Sequence, residues 1–296
     1  MTIFSATAFS LAKSRFLDYF ELTKPRLVWL VMLSAMVGFF MGTKEELNIS
    51  LLLLTLFGTA MVAAGSMAVN QWMEKREDAC MARTAGRPLP AGRLNAWEAL
   101  FFGLGLGAAG LMVLALGVNT ISFFLAAMTF GIYLILYTPL KKKTSLCTVI
   151  GAVPGALPPL IGWSAASGGA PSLPAWIIFM IIFLWQMPHF LAIAWLCRKE
   201  YARAGFAMLS VEDPTGIRVG RQIILYSLLL LPVSLLPTFF GLTGPVYFFA
   251  ALILGSVFLG AGIYSLRQMD EKARLLFRVS VLYLFFLLIF MVADKT

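Results

Sequence analysis

Residues 49–78 read ISLLLLTLFGTAMVAAGSMAVNQWMEKRED, and the fold follows from this stretch. Nothing from Ile49 to Val69 is charged, and the run matches the roughly 20 apolar residues a helix needs to cross the hydrocarbon layer of a bilayer. Backbone groups in lipid have no water to bond, so a crossing segment must close its hydrogen bonds within itself. The run then ends on Asn70, Glu74 and Asp78, which recur every fourth residue and share one face of a helix. A membrane span thus leads directly into a ladder of polar oxygen-bearing side chains.

Similar runs fill the rest of the chain. Of 296 residues, 60% are hydrophobic and 12% charged, too apolar for a soluble domain to cover with one polar surface. The short alternating segments of a membrane β-barrel are absent. Nine spans are expected near 26–42, 49–72, 97–117, 119–138, 146–167, 174–197, 222–241, 245–266 and 275–293. The fold class is therefore all-α, a polytopic membrane bundle of nine transmembrane helices forming a single membrane domain.

The charges sort by side. Connections after spans 1, 3, 5 and 7 are short, whereas those after spans 2, 4, 6 and 8 carry KREDACMARTAGRPLPAGR, KKK, RKEYARAGF and RQMDEKAR. All but two of the 23 Lys and Arg residues fall with the N-terminus and the even loops; the exceptions are Lys44 and Lys295. The positive-inside bias places the N-terminus in the cytoplasm and the C-terminus outside, as expected for a protein of a bacterial inner membrane. Topology and an anionic ligand at that face account for the net charge of +9 without nucleic acid. Residues 4–20, within a cytoplasmic segment 1–22 that precedes the bundle of 23–296, are expected either to lie along the membrane as an amphipathic helix, with Phe9, Phe16 and Phe20 toward lipid, or to form a disordered tail. Cys80, Cys147 and Cys197 show neither disulfide nor zinc spacing.

Three constellations carry chemistry. Two carboxylates and an amide stacked as Asn70, Glu74 and Asp78 repel one another unless a cation sits among them. Hard oxygen ligands suit Mg²⁺, completed by water and substrate phosphate. Arg83, Arg87 and Arg93 follow as candidates to hold phosphate oxygens. The bland alternative is a solvated helix end with Glu74 and Asp78 paired to Lys75, Arg76 or Arg83. Second, Tyr137-Thr-Pro-Leu-Lys141-Lys142-Lys143 ends span 4 with cations at the same face, and the Gly- and Pro-rich run 151–163 is expected to break span 5 and wall a cavity. Third, Trp185-Gln186-Met187-Pro188-His189-Phe190 places the single histidine within span 6, ahead of Arg198-Lys199-Glu200-Tyr201-Ala-Arg203. Here His189 either serves a ligand or merely bonds Gln186 or a carbonyl freed by Pro188.

N-x-x-x-[DE]-x-x-x-D at the end of a second span, followed by R-T-x-x-R-P-L, resembles the UbiA superfamily of intramembrane prenyltransferases. The segments W-Q-M-P-H-F, R-x-[DE]-Y-x-x-[AG]-G-[FY]-x-M and P-G-A-x-P-P-x-I-G resemble its heme-farnesylating branch in particular. That resemblance implies a nine-helix bundle, a Mg²⁺ cofactor, and transfer of farnesyl from farnesyl diphosphate to the 2-vinyl group of heme b. It implies catalytic roles for Asn70, Glu74, Asp78, Arg83, Arg87 and Lys141, the first three as metal ligands. It further implies that Tyr137, Gln186, His189, Arg198, Lys199, Glu200, Tyr201 and Arg203 bind substrate, with His189 toward the heme iron and Arg198, Lys199 or Arg203 toward the propionates. Trp72, Tyr137, Trp163 and Trp185 are expected to wall the farnesyl cation. The implied partners are both substrates, the lipid bilayer, and a heme A synthase or terminal-oxidase assembly proteins. This chain departs from the superfamily pattern where Glu74 replaces an aspartate, and where the second loop offers Glu200 but Ala204 four residues on. One strong acidic motif and a cationic second loop are expected. Two other readings stay open: a related enzyme acting on a quinone precursor, and a transporter that would place polar groups at the midplane and open to both faces.

Overall fold

The computed structural model describes residues 15–266 and 268–296. Among these, nine helices are long and apolar enough to cross a membrane: α1 Pro25–Gly42, α2 Ile49–Met73, α3 Ala96–Gly117, α4 Thr120–Leu140, α5 Cys147–Ser167, α6 Leu173–Leu196, α7 Ile217–Phe239, α8 Pro245–Leu266 and α9 Met269–Ala293. They meet the expected spans closely except at two starts. Helix α7 begins at Ile217 and α9 at Met269, five and six residues before the expected 222 and 275. Both carry charged residues in that extra length, Arg218 and Arg221 in one, Asp270, Glu271, Lys272 and Arg274 in the other. Hydropathy marks where the hydrocarbon begins, whereas a helix continues through the headgroup layer, where charges are solvated.

Close approach of α2 and α3 depends on glycine. A Cβ on Gly65 would lie 2.6 Å from the carbonyl of Gly103, so any side chain there would push the helices apart. Packing of this kind supplies cohesion in lipid, where no hydrophobic force draws helices together. Helix α5 breaks at Leu157 into Cys147–Ala156 and Pro158–Ser167. Its second half packs against α1, with Gly162 so near the Ala35 carbonyl that a Cβ would collide. The expectation that 151–163 walls a cavity needs correction, because the run only backs one: Gly151 packs beneath the ring of Tyr137, which does the lining.

Helix α4 widens into a π-helix over Ile132–Tyr137. Pro139 explains the widening, since it has no N–H to give and its ring crowds the carbonyl four residues back. In the widened turn the Tyr133 carbonyl accepts from the Thr138 backbone N–H five residues on and, at 2.8 Å, from the Thr138 hydroxyl.

At one end of the bundle the even-numbered connections interlock. The Ala207 N–H donates to the Lys141 carbonyl at 2.7 Å, and Arg83 pairs with Glu200 at 3.2 Å. A helix at 15–22 docks on this end: the Gln71 amide donates to the Leu22 carbonyl at 2.7 Å, and Leu22 is fully buried. Its Phe16, Leu17 and Phe20 remain exposed, while Phe9 lies outside the described residues. The other end is sparsely polar. There Lys295 donates to the Phe40 and Thr43 carbonyls, tying the last residues to the connection after α1.

Candidate active site

A cavity of about 200 Å³ opens where α2 and α4 end and the even loops meet. The polar ladder forms its floor. Asn70, Glu74 and Asp78 are each at least 95% buried, so the solvated helix end does not occur. Each of the three is held by one cation, and each cation comes from a different part of the chain. Lys24 donates to Asn70 Oδ1 at 3.1 Å. Lys141 donates to Glu74 Oε2 at 3.0 Å, and Arg87 forks onto both Asp78 oxygens at 2.9 and 2.7 Å. None of the cations expected for surface pairing with Glu74 or Asp78, namely Lys75, Arg76 and Arg83, takes that part.

Local geometry fixes how the ladder faces the cavity. Asn70 Nδ2 donates to the Thr138 hydroxyl at 3.1 Å, and that hydroxyl donates onward to the Tyr133 carbonyl of the π-segment. The amide is thereby turned so that its oxygen, the only atom of use to a hard cation, points toward Lys24 and the cavity. The π-segment also brings Tyr133 and Tyr137 to the wall together, ring centroids 5.2 Å apart. Lys141 lies 4.5 Å from the Tyr137 ring centre. Burial works against the Lys141 charge, yet the neighbouring Tyr137 and Glu74 hold its pKa well above the ordinary lysine value. Burial, with Arg87 and Lys141 close by, pushes Lys24 the other way, down to about 7.

The donor set fits Mg²⁺. Glu74 Oε1 is buried without a hydrogen bond, although the Lys141 ammonium is 2.8 Å away. Among the described residues no three His, Cys, Asp or Glu side chains gather as a metal centre. An ion here would therefore rest on Glu74, Asp78 and the Asn70 oxygen, with water and substrate oxygens completing it. That sparse protein coordination is usual for Mg²⁺.

The remaining expected residues divide. Arg83, Tyr201 and Tyr137 line the cavity, and Glu200 reaches it through Arg83, whose guanidinium lies 5.1 Å from the Tyr201 ring centre. Gln186, His189, Arg198, Lys199 and Arg203 do not line it. Gln186 bonds the Ala152 and Ile182 carbonyls, and His189 Nδ1 sits 2.7 Å from the Ser280 hydroxyl with its ring stacked on Trp185. Arg198 is taken by Asp270 at 2.6 Å, while Lys199 and Arg203 are exposed. Arg93 does not line the cavity either and pairs with Asp18 and Glu21 of the helix 15–22. Of the expected aromatic wall only Tyr137 is in place: Trp72 pairs with Trp97, Trp163 is in the core, and Trp185 donates to the Ser280 carbonyl. The pattern of the sequence did not single out Lys24, Tyr133, Met81, Phe206 or Met208, all of which line the cavity. Phe206 and Met208 stand at the end of the motif R-x-[DE]-Y-x-x-[AG]-G-[FY]-x-M, which gave them no role of their own.

Comparison with known proteins now decides the family. The profile of the UbiA prenyltransferase family matches residues 31–290. The chain belongs to that family. As a UbiA-family protein it is 46% identical to the protoheme IX farnesyltransferase of Solibacter usitatus, over 94% of this chain and 98% of that one. Its bundle superposes on a digeranylgeranylglyceryl phosphate synthase structure with a TM-score of 0.80, at 19% identity over 94% of this chain and 98% of that one. A UbiA homolog from Archaeoglobus fulgidus bound to GPP and Mg²⁺ superposes with a TM-score of 0.69, at 15% identity over 93% and 98% of the two chains. These likenesses confirm the all-helical fold, and the chain is an integral membrane protein.

Proposed function

We propose that this protein transfers farnesyl from farnesyl diphosphate to the 2-vinyl group of protoheme IX (heme b), with addition of water, giving heme O and diphosphate. The single observation that carries the reading is the buried ladder of Asn70, Glu74 and Asp78 facing cations on a cavity wall. Its match in sequence to a protoheme IX farnesyltransferase over nearly the full length supports the choice of acceptor. Mg²⁺, when bound, would supply a Lewis acid for the diphosphate oxygens. The protein's own part is electrostatic: Arg83, Arg87, Lys24 and Lys141 line the space where the leaving diphosphate gathers charge, already in place before the reaction.

Breaking the bond between farnesyl C1 and oxygen sends its electron pair to diphosphate and leaves an allylic cation. Tyr133, Tyr137, Tyr201 and Phe206 present π-faces to that cation. The vinyl terminal carbon then bonds to C1, and the new cation beside the porphyrin ring takes up water and sheds a proton. Glu200 acts by holding Arg83 in place. Because Gln186, His189, Arg198, Lys199 and Arg203 lie outside the cavity, the reading does not rest on them. An acceptor held by His189 would have to bridge from α6 to the cavity.

In this reading the cavity end of the bundle is cytoplasmic, the membrane is the bacterial inner membrane, and the helix 15–22 lies along the interface with Phe16, Leu17 and Phe20 in lipid. The described helix 15–22 and the bundle belong, in this reading, to one membrane domain. A heme A synthase would consume the product. Expression in a host that lacks heme O, followed by extraction and mass analysis of its hemes, tests the proposal. Heme O should accumulate with the wild type and be missing with Glu74→Gln. A host that still contains only heme b would overturn it.

A further inference from the structure

The second loop holds a feature that the ladder does not explain. Glu200 and Ala204 are one turn apart on the short helix Arg198–Arg203, so the position that would complete a second carboxylate pair is a methyl group. The one carboxylate left does not stand open. Glu200 Oε2 is 3.2 Å from Arg83 Nε, and the Arg83 guanidinium lies 5.1 Å from the ring centre of the next residue, Tyr201. Among the described residues the guanidinium makes one hydrogen bond, from Nη2 to the Met81 sulfur at 3.7 Å; its contact with Glu200 is an ion pair without a hydrogen bond, so its other N–H groups have no oxygen acceptor there. Arg87 differs: both its bonds go to Asp78 in the ladder.

We propose that the site takes a single divalent cation, on the ladder, and that Arg83, clipped by Glu200 and Tyr201, does in place of a second metal ion the work of binding the diphosphate from the opposite loop. The inference rests on the reading of the ladder as a metal–diphosphate site. Arg83 would touch the diphosphate oxygens directly, and Glu200 is a positioning residue.

Mn²⁺ as a paramagnetic probe, titrated into the full chain with farnesyl thiolodiphosphate, separates the cases. One bound Mn²⁺ per chain is expected, with no spin–spin coupling between ions. Glu200→Gln should keep that one ion while weakening binding of the analogue. Arg83→Ala should also keep the ion but lower turnover on the order of 10²-fold, as removal of a preset donor does, and Arg83→Lys should recover part of it. Two coupled Mn²⁺ ions in the wild type, or the loss of an ion in Glu200→Gln, would overturn the single-ion proposal and leave the ladder intact. No bound Mn²⁺ in the wild type would overturn both. Should Arg83→Ala fail to fold, the ion count in the wild type and Glu200→Gln still decides.

Discussion

At the scale of residues, the ladder was legible because its information is local. Asn70, Glu74 and Asp78 repeat with the helix, so spacing alone puts them on one face. Arg87 and Lys141 were expected at the site, but which oxygen each would hold was not legible and Lys24 was not expected at all, because Lys24 reaches Asn70 from 46 residues away and Lys141 reaches Glu74 from 67. Arg87 and Arg93 look equivalent in the sequence, yet one binds the ladder and the other binds the helix 15–22. Replacing Glu74 with Gln, or Asp78 with Asn, is expected to lower turnover by about 2–4 kcal/mol of transition-state stabilisation while the protein still folds and inserts. Near-normal rates at saturating Mg²⁺ in either variant would remove the ladder from the mechanism. Thr138 gives a finer test. In Thr138→Val the Asn70 amide loses the acceptor that orients it, so metal affinity should fall about 10-fold, in line with other groups that orient metal ligands. Titration of Mn²⁺ measures this, and an unchanged affinity would mean that the Asn70 oxygen is not a ligand.

At the scale of elements, span positions could be read from apolar length, but the helix ends could not. The early starts of α7 and α9 lie where charged residues sit on a continuing helix. The π-segment of α4 was hidden as well: Pro139 signals a disturbance, but only the fold shows that it becomes a widened turn bringing two tyrosines to the wall. The start of α7 is held by Asp213, which accepts from the Val219 N–H at 3.0 Å and the Thr215 hydroxyl at 2.8 Å. Burial opposes its ionisation, but these bonds outweigh burial and hold its pKa below the ordinary value. A lowered folded-state pKa stabilises the protein above the unfolded value near 4, and the benefit is lost as pH falls through the folded one. Asp213→Asn keeps an acceptor for the start of the helix but removes the charge, so at neutral pH it should melt at a lower temperature than the wild type. Thermal melting in detergent should show that gap narrowing below about pH 4. A gap that does not change with pH would assign the cost to packing instead of charge.

At the scale of the whole molecule, the surplus of Lys and Arg and the polar cavity they line fall at the same end of the bundle, which the proposed orientation places in the cytoplasm. Cysteine labelling tests it in a background without Cys80, Cys147 and Cys197. A cysteine at exposed Ser167, at the far end of α5, should react with an impermeant reagent only from outside. Labelling only from the cytoplasmic side would reverse the topology. The composition of the chain declared a membrane bundle, but it could not show which flat acceptor enters it, since acceptor contacts are spread over residues distant in sequence. Competition between acceptors settles that most directly. Purified protein in liposomes is given radiolabelled farnesyl diphosphate, Mg²⁺, and equal amounts of heme b and 4-hydroxybenzoate. The account predicts that the label passes to heme, as a hydroxyethylfarnesyl product, with one diphosphate released per label transferred and none of either in Glu74→Gln. Label on the aromatic acid with unmodified heme would contradict it.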